Sequence, residues 1–201
     1  AMARLKGLSF KRHRHQHKTE PPGTLNLPPD SPKPTVDLFA FDKDKYLEQP
    51  LGNLAELDAI RGQWPVLWVN VNGLGDLDLI RGLQTRFALH QLALEDVLTR
   101  NQRPKIDEYE GHLFVLMRMG EAGTQLGTEQ LCIFVGNGFV ITFQEHPGDC
   151  LDELRERIRK GLGRVRAAGA DYLAYCIMDA VIDGYYPYLD SLNDEVEALE
   201  A

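Results

Sequence analysis

The sequence predicts a mixed α/β fold of the α+β kind, a sheet of parallel and antiparallel strands packed with helices and leading into a long C-terminal helix. Three observations predict it. Strand-like and helix-like segments alternate over residues 35–104. Strand-like runs joined by short turns then follow from 105 to 143. Beyond Asp149 the apolar residues recur at steps of three and four, which is helical spacing. Alternating elements followed by a run of antiparallel strands argue for a mixed sheet with helices packed on it.

TVDLFAF (35–41) alternates as a short strand, and PVLWVNV (65–71) is so continuously apolar that it should be buried on both faces. Asn72-Gly73 turns the chain. Asp76 can cap a helix running to Phe87. HQLALEDVLTRNQRPKI (90–106) opens as an amphipathic helix with Leu92, Leu94, Val97 and Leu98 as its candidate buried positions, and Arg103-Pro104-Lys105 ends it. KIDEY, HLFVLMRM and TEQLCIFV read as strands, the first two joined through Glu110-Gly111. Gly136-Asn137-Gly138 makes a tight hairpin into FVITF. Trp64, Trp68, Phe114 and Phe134 read as core. DCLDELRERIRKGL is a charged amphipathic helix that Asp149 can cap. A longer helix starts at Asp171, with Leu173, Ile177, Val181, Tyr185, Leu189, Leu192, Val196 and Leu199 as its seam. Pro187 should kink it or begin a new first turn. The last turns, NDEVEALEA, hold no Gly or Pro, so the helix is expected to continue past Ala201 as a truncated element.

Three regions follow. Residues 1–34 are basic, His-rich and then Pro-rich, and are expected to be a disordered tail. Residues 35–164 form the α/β body, and residues 165–201 begin the long C-terminal helices. Residues 1–18 hold Arg4, Lys6, Lys11, Arg12, Arg14 and Lys18 and no acid, which leaves 16 basic against 30 acidic residues, a net of −14, for the remainder. An acidic body repels nucleic acid and attracts cations. Cys132, Cys150 and Cys176 are widely spaced and unpaired in pattern, which points to a reducing compartment. The longest uncharged run, QLCIFVGNGFVITFQ, is broken by Gly-Asn-Gly, so no membrane helix is predicted and the chain is expected to be soluble.

The candidate chemistry lies in carboxylates. Glu95 and Asp96 are consecutive, so on a helix they point roughly 100° apart and cannot clamp one ion together. Asp179 and Asp183 stand four apart and share a face, with Asp179 in the apolar setting CIMDAVI, where a carboxylate needs a partner or a metal. Oxygen ligands of this kind suit a hard cation such as Mg2+, which keeps much of its water. Charge pattern alone reads first as a solvated helix face. His90 and His112 read as isolated histidines, and His146 with Cys150 lacks the spacing of a zinc site. No phosphate-binding Gly loop or nucleophile elbow is present.

The ordered strings LWVNVNGL, FALHQLALEDVL, QRPKIDEY, VITFQE, LRERIR and DYLAYCIMDAVIDGYYPYLD resemble the cytoplasmic domain of CorA-type magnesium transporters, from about Val66 to the chain end. The resemblance implies a non-enzymatic, homopentameric channel for Mg2+, and in some members Co2+ or Ni2+. Its N-terminal domain would lie at the cytoplasmic face of the plasma membrane. The sheet would sit between helices, and a stalk would lead into membrane helices that are absent here. It also implies regulatory Mg2+ between neighbouring subunits. By position, Asp96 would serve the main site, Glu95 and Asp179 a second, and Asp183 a less defined place on the same face. Bound Mg2+ would neutralise facing acids and hold the ring closed. The rivals are a zinc-transporting relative binding Zn2+, a soluble metal-dependent hydrolase, and a nucleic-acid or lipid-headgroup contact through the basic tail.

Overall fold

The computed structural model describes residues 21–120 and 127–200. The elements run β1 (Thr35–Phe41), β2 (Tyr46–Pro50), α1 (Leu54–Ile60), β3 (Val66–Asn72), α2 (Leu77–Phe87), α3 (Gln91–Leu98), β4 (Lys105–Tyr109), β5 (His112–Gly120), β6 (Thr128–Gly136), β7 (Phe139–Gln144), α4 (Asp152–Lys160), α5 (Ala170–Asp183) and α6 (Tyr186–Glu200). The described strands form one sheet of seven, ordered β2-β1-β3-β7-β6-β5-β4, in which β3 and β7 run parallel and every other neighbouring pair antiparallel. The mixed sheet expected from the sequence is therefore present.

Its path follows from pairing. After β3 the chain crosses one face through α2 and α3, reaches the far edge as β4, and returns as the meander β4-β5-β6-β7 to close against β3. β3 is buried along all seven residues, as its continuous apolar character predicts for a strand covered on both faces. On one face Leu38, Val69, Val71, Phe114 and Phe134 pack under Leu57 of α1, Ile80 and Leu83 of α2, and Leu94 and Val97 of α3. On the other, Phe39, Trp68, Ile133 and Val140 pack under Leu154 and Ile158 of α4 and Leu173, Ile177 and Val181 of α5. Fully buried side chains of this size each contribute about 1.5–3 kcal/mol. Trp68 stacks on Phe39 at 4.9 Å and donates its indole N–H to Thr142 Oγ1 at 2.9 Å. Trp64 is only partly buried at the margin of the first core.

Local signals behave unevenly. Asp76 caps α2 by accepting the Leu79 N–H, as expected. Asp149 does not cap α4: the N-cap is Leu151, and Asp149 instead accepts the Leu151 N–H and a two-pronged bond from the Arg155 guanidinium at 2.5 and 2.6 Å. Asp171 lies in the first turn of α5, whose N-cap is Gly169. The single C-terminal seam resolves into two helices, because α5 ends at Asp183 and α6 restarts at Tyr186 with Pro187 in its first turn. A proline there loses only a donor that has no helical partner. Tyr185 fastens the junction to the sheet by donating to the Arg118 carbonyl at 2.9 Å. The stretch 42–64, where periodicity marks no element, holds β2 and α1.

Of the segment 1–34, residues 1–20 lie outside the described residues. Residues 21–34 run as an irregular strap along α2 and α3. The Gly75 N–H donates to the Pro32 carbonyl at 2.8 Å, and a Cβ on Gly75 would stand 2.6 Å from the Ser31 and Pro32 carbonyl oxygens.

Candidate functional site

α3 presents the two adjacent acids. Its apolar side, with Ala93, Leu94, Val97 and Leu98, is locked into the first core, which fixes where the remaining positions point; Leu92, expected to be buried, lies off that side and is exposed. Glu95 and Asp96 diverge, as consecutive helical positions must. Glu95 turns to the strap: its Oε2 accepts the Gly23 N–H at 2.7 Å, and Gln91, one turn earlier, donates to the Gly23 carbonyl at 2.7 Å. Gly23 holds a φ of +86°, a conformation that favours glycine.

Asp96 turns the other way, toward the edge strand β4. Its Oδ2 accepts from Lys105 Nζ at 2.7 Å, and the same ammonium reaches Asp107 Oδ2 at 2.8 Å. Gln130 Nε2 donates to the Asp96 backbone carbonyl at 2.8 Å and holds the last turn of α3 against β6. Burial of the Lys105 amine works to lower its pKa, but the hydrogen bonds and charges of Asp107 and Asp96 outweigh that, and the net direction is upward. Lys105 and Asp107 carry no site signal in the sequence, where Lys105 reads only as part of the helix stop with Pro104. Their contact with Asp96 depends on where β4 lies relative to α3, which no local pattern encodes.

Asp179 and Asp183 stand on α5, across the sheet from α3. Both are exposed, so Asp179 does not occupy the apolar setting that CIMDAVI suggests: Cys176, Ile177 and Val181 face the core, while the carboxylate and Ile182 face away. The two acids border a small cleft of about 230 Å3 between α4 and α5, together with Glu153, Arg157, Cys150 and Cys176. The four acids predicted as metal ligands thus form two pairs on opposite faces of the sheet. Among the described residues no three His, Cys, Asp or Glu side chains gather closely enough to hold a metal ion. What the arrangement offers is exposed or half-exposed oxygen ligands, one or two at a time. This fits a hard, largely hydrated cation completed by ligands from outside the chain.

The histidines are not isolated. His90 stacks on Tyr109 at 4.2 Å, Tyr109 stacks on His112 at 5.4 Å, and His112 Nε2 accepts the His90 N–H at 3.4 Å. His90 Nδ1 in turn accepts the Leu92 N–H and caps α3. All three cysteines are free. Burial pushes the Cys132 thiol well up and the Cys150 thiol up to about 11. Among the described residues no helix is long and apolar enough to cross a membrane.

The sheet thus lies between two helical layers, with acids displayed on both. The chain belongs to the CorA-like Mg2+ transporter protein family, whose pattern matches residues 65–201. That family comprises cation transporters, not enzymes. The chain is 30% identical over 168 residues to the cobalt/magnesium transport protein CorA of Thermotoga maritima, covering 82% of this chain and 48% of that one. It is 26% identical over 147 residues to the magnesium transporter ALR1 of Saccharomyces cerevisiae, covering 71% of this chain and 17% of that one. The chain therefore spans about half the length of the bacterial relative, and less of the yeast one. In fold it is similar to the soluble domain of CorA from Methanocaldococcus jannaschii, with a TM-score of 0.63 at 18% identity over 82% of this chain and 62% of that one. It is similar also to the ZntB cytoplasmic domain from Vibrio parahaemolyticus, with a TM-score of 0.60 at 12% identity over 82% of this chain and 64% of that one.

Proposed function

We propose that this chain is the cytoplasmic, Mg2+-sensing domain of a CorA-type divalent cation channel. In this reading residues 35–164 are the sensing body, 165–201 begin the stalk, and 1–34 form a basic and Pro-rich arm. The whole protein is a homopentamer carried in the membrane by helices outside this chain, and it conducts Mg2+ and Co2+. The observation that carries the reading is the separation of the acids. Glu95 and Asp96 on one face, and Asp179 and Asp183 on the other, cannot share an ion within one copy, but they can face a neighbouring copy on each side. Mg2+ held between copies neutralises the facing carboxylates and favours the closed ring. When Mg2+ falls the acids repel and the ring loosens. A ligand shifts such an equilibrium only by its difference in affinity for the two states, which bridging supplies.

The likeness to the ZntB domain is one of fold, and an all-oxygen acid set favours Mg2+ over Zn2+, which prefers nitrogen and sulfur ligands. The test is thermal unfolding of the chain in rising MgCl2. The wild type is expected to be stabilised by Mg2+, and the double variant Asp96→Ala, Asp179→Ala to lose most of that shift. Equal shifts in the two proteins would overturn the site assignment.

A further inference from the structure

Lys105 makes an unusual use of an edge strand. Alternation along β4 puts Lys105, Asp107 and Tyr109 on one face, while α3 hangs over that strand and brings Asp96 in from above. Two carboxylates from different elements converge on one ammonium, at 2.7 and 2.8 Å. The Lys105 ammonium stands 5.9 Å from the centre of the buried Phe114 ring, so it is held at this point from below as well. The trio has two negative charges and one positive. Without the lysine, two carboxylates on separate elements would be left with no cation at the point the ammonium now holds.

We propose that Lys105 is a tethered cation occupying the Asp96–Asp107 carboxylate pair, so that a divalent ion enters this point only by displacing the ammonium. Asp107 then becomes a second ligand residue beside Asp96, and Lys105 the residue that sets the affinity of the site. The proposal rests on Asp96 being a cation ligand. A binding state populated in a fraction of molecules lowers the apparent affinity by that fraction, so an ammonium docked in about nine molecules of ten weakens divalent binding about tenfold. Such a device makes the site respond at high rather than trace concentrations of the ion, as a sensor of an abundant cation requires.

The experiment is isothermal titration of the full 201-residue chain with MgCl2, for wild type, Lys105→Met, Lys105→Met with Asp107→Asn, and Asp96→Asn. Lys105→Met is expected to bind Mg2+ about tenfold more tightly than wild type, and the added Asp107→Asn to take that gain back. Without Mg2+, Lys105→Met should also unfold at a lower temperature, restored by MgCl2 and not by NaCl of equal ionic strength. If Lys105→Met proves unfolded, Lys105→Gln carries the same comparison. Should Asp96→Asn abolish Mg2+ binding while neither lysine variant tightens it, the tethered-cation proposal falls and the sensing role of Asp96 stands. Should Asp96→Asn leave Mg2+ binding unchanged, or the wild type bind none, both fall together.

Discussion

His112 shows how a single side chain can make stability depend on pH. It is nearly buried between Tyr109 and Phe134, and it accepts the His90 N–H through Nε2, so the fold needs it neutral on that nitrogen. Burial lowers its pKa, the neighbouring His90 lowers it further, and a bond to the Glu110 backbone only partly offsets this. A folded pKa below the unfolded value of 6.5 means the unfolded chain takes up the proton first. Stability is therefore unaffected above that value, and it falls as pH drops from about 6.5 through the lower folded pKa. Urea midpoints measured from pH 7.5 to 5 should decline in wild type, and the decline should shrink in His112→Gln. Sequence could not show this, because His90 and His112 meet only when β4 and β5 pair and bring Tyr109 between them. The divergence of Glu95 and Asp96, by contrast, was legible from helical geometry alone. Their actual partners, Gly23 and Lys105, were not.

Among elements, α2 carries a cap that the sequence does not advertise. Its C-cap is Ala88, exposed and left-handed with φ 51° and ψ 41°, a conformation that L-residues adopt at a cost and glycine does not. Ala88→Gly is expected to stabilise the chain by up to about 1 kcal/mol, seen as a higher urea midpoint with unchanged slope. No shift would mean that the cap bears no strain. Strands with continuous or alternating apolar character were readable, as β1 and β3 show. β2 was not: it is a short edge strand with a charged residue and a terminal proline, and its burial alternates only between exposed and partly buried. α1 escaped as well, since seven residues give barely two turns of periodicity, although Asn53 caps it by accepting the Ala55 and Glu56 N–H groups. The α5–α6 break was foreshadowed by Pro187, while the shared spacing of the seam concealed that only its first half is core.

At the scale of the whole molecule, that second half stays exposed among the described residues. Leu189, Leu192, Val196 and Leu199 remain between 41% and 79% exposed along α6, although they continue the spacing of the buried Leu173, Ile177 and Val181. An apolar stripe on a helix leaving the body suits packing against other copies, as the proposed oligomer requires. Leu192→Glu with Leu199→Glu should abolish any concentration-dependent self-association seen in sedimentation, leaving thermal unfolding of the body unchanged. The parallel pairing of β3 with β7 has a separate consequence, one of timing. Leu67 can find Phe139 only after α2, α3 and the whole meander have been synthesised, so the central seam of the sheet is expected to form late. On the ribosome β1 and β2 can pair early, but β3 keeps one open edge until β7 emerges. That interval is when the nascent chain is most prone to pair with a strand from another molecule.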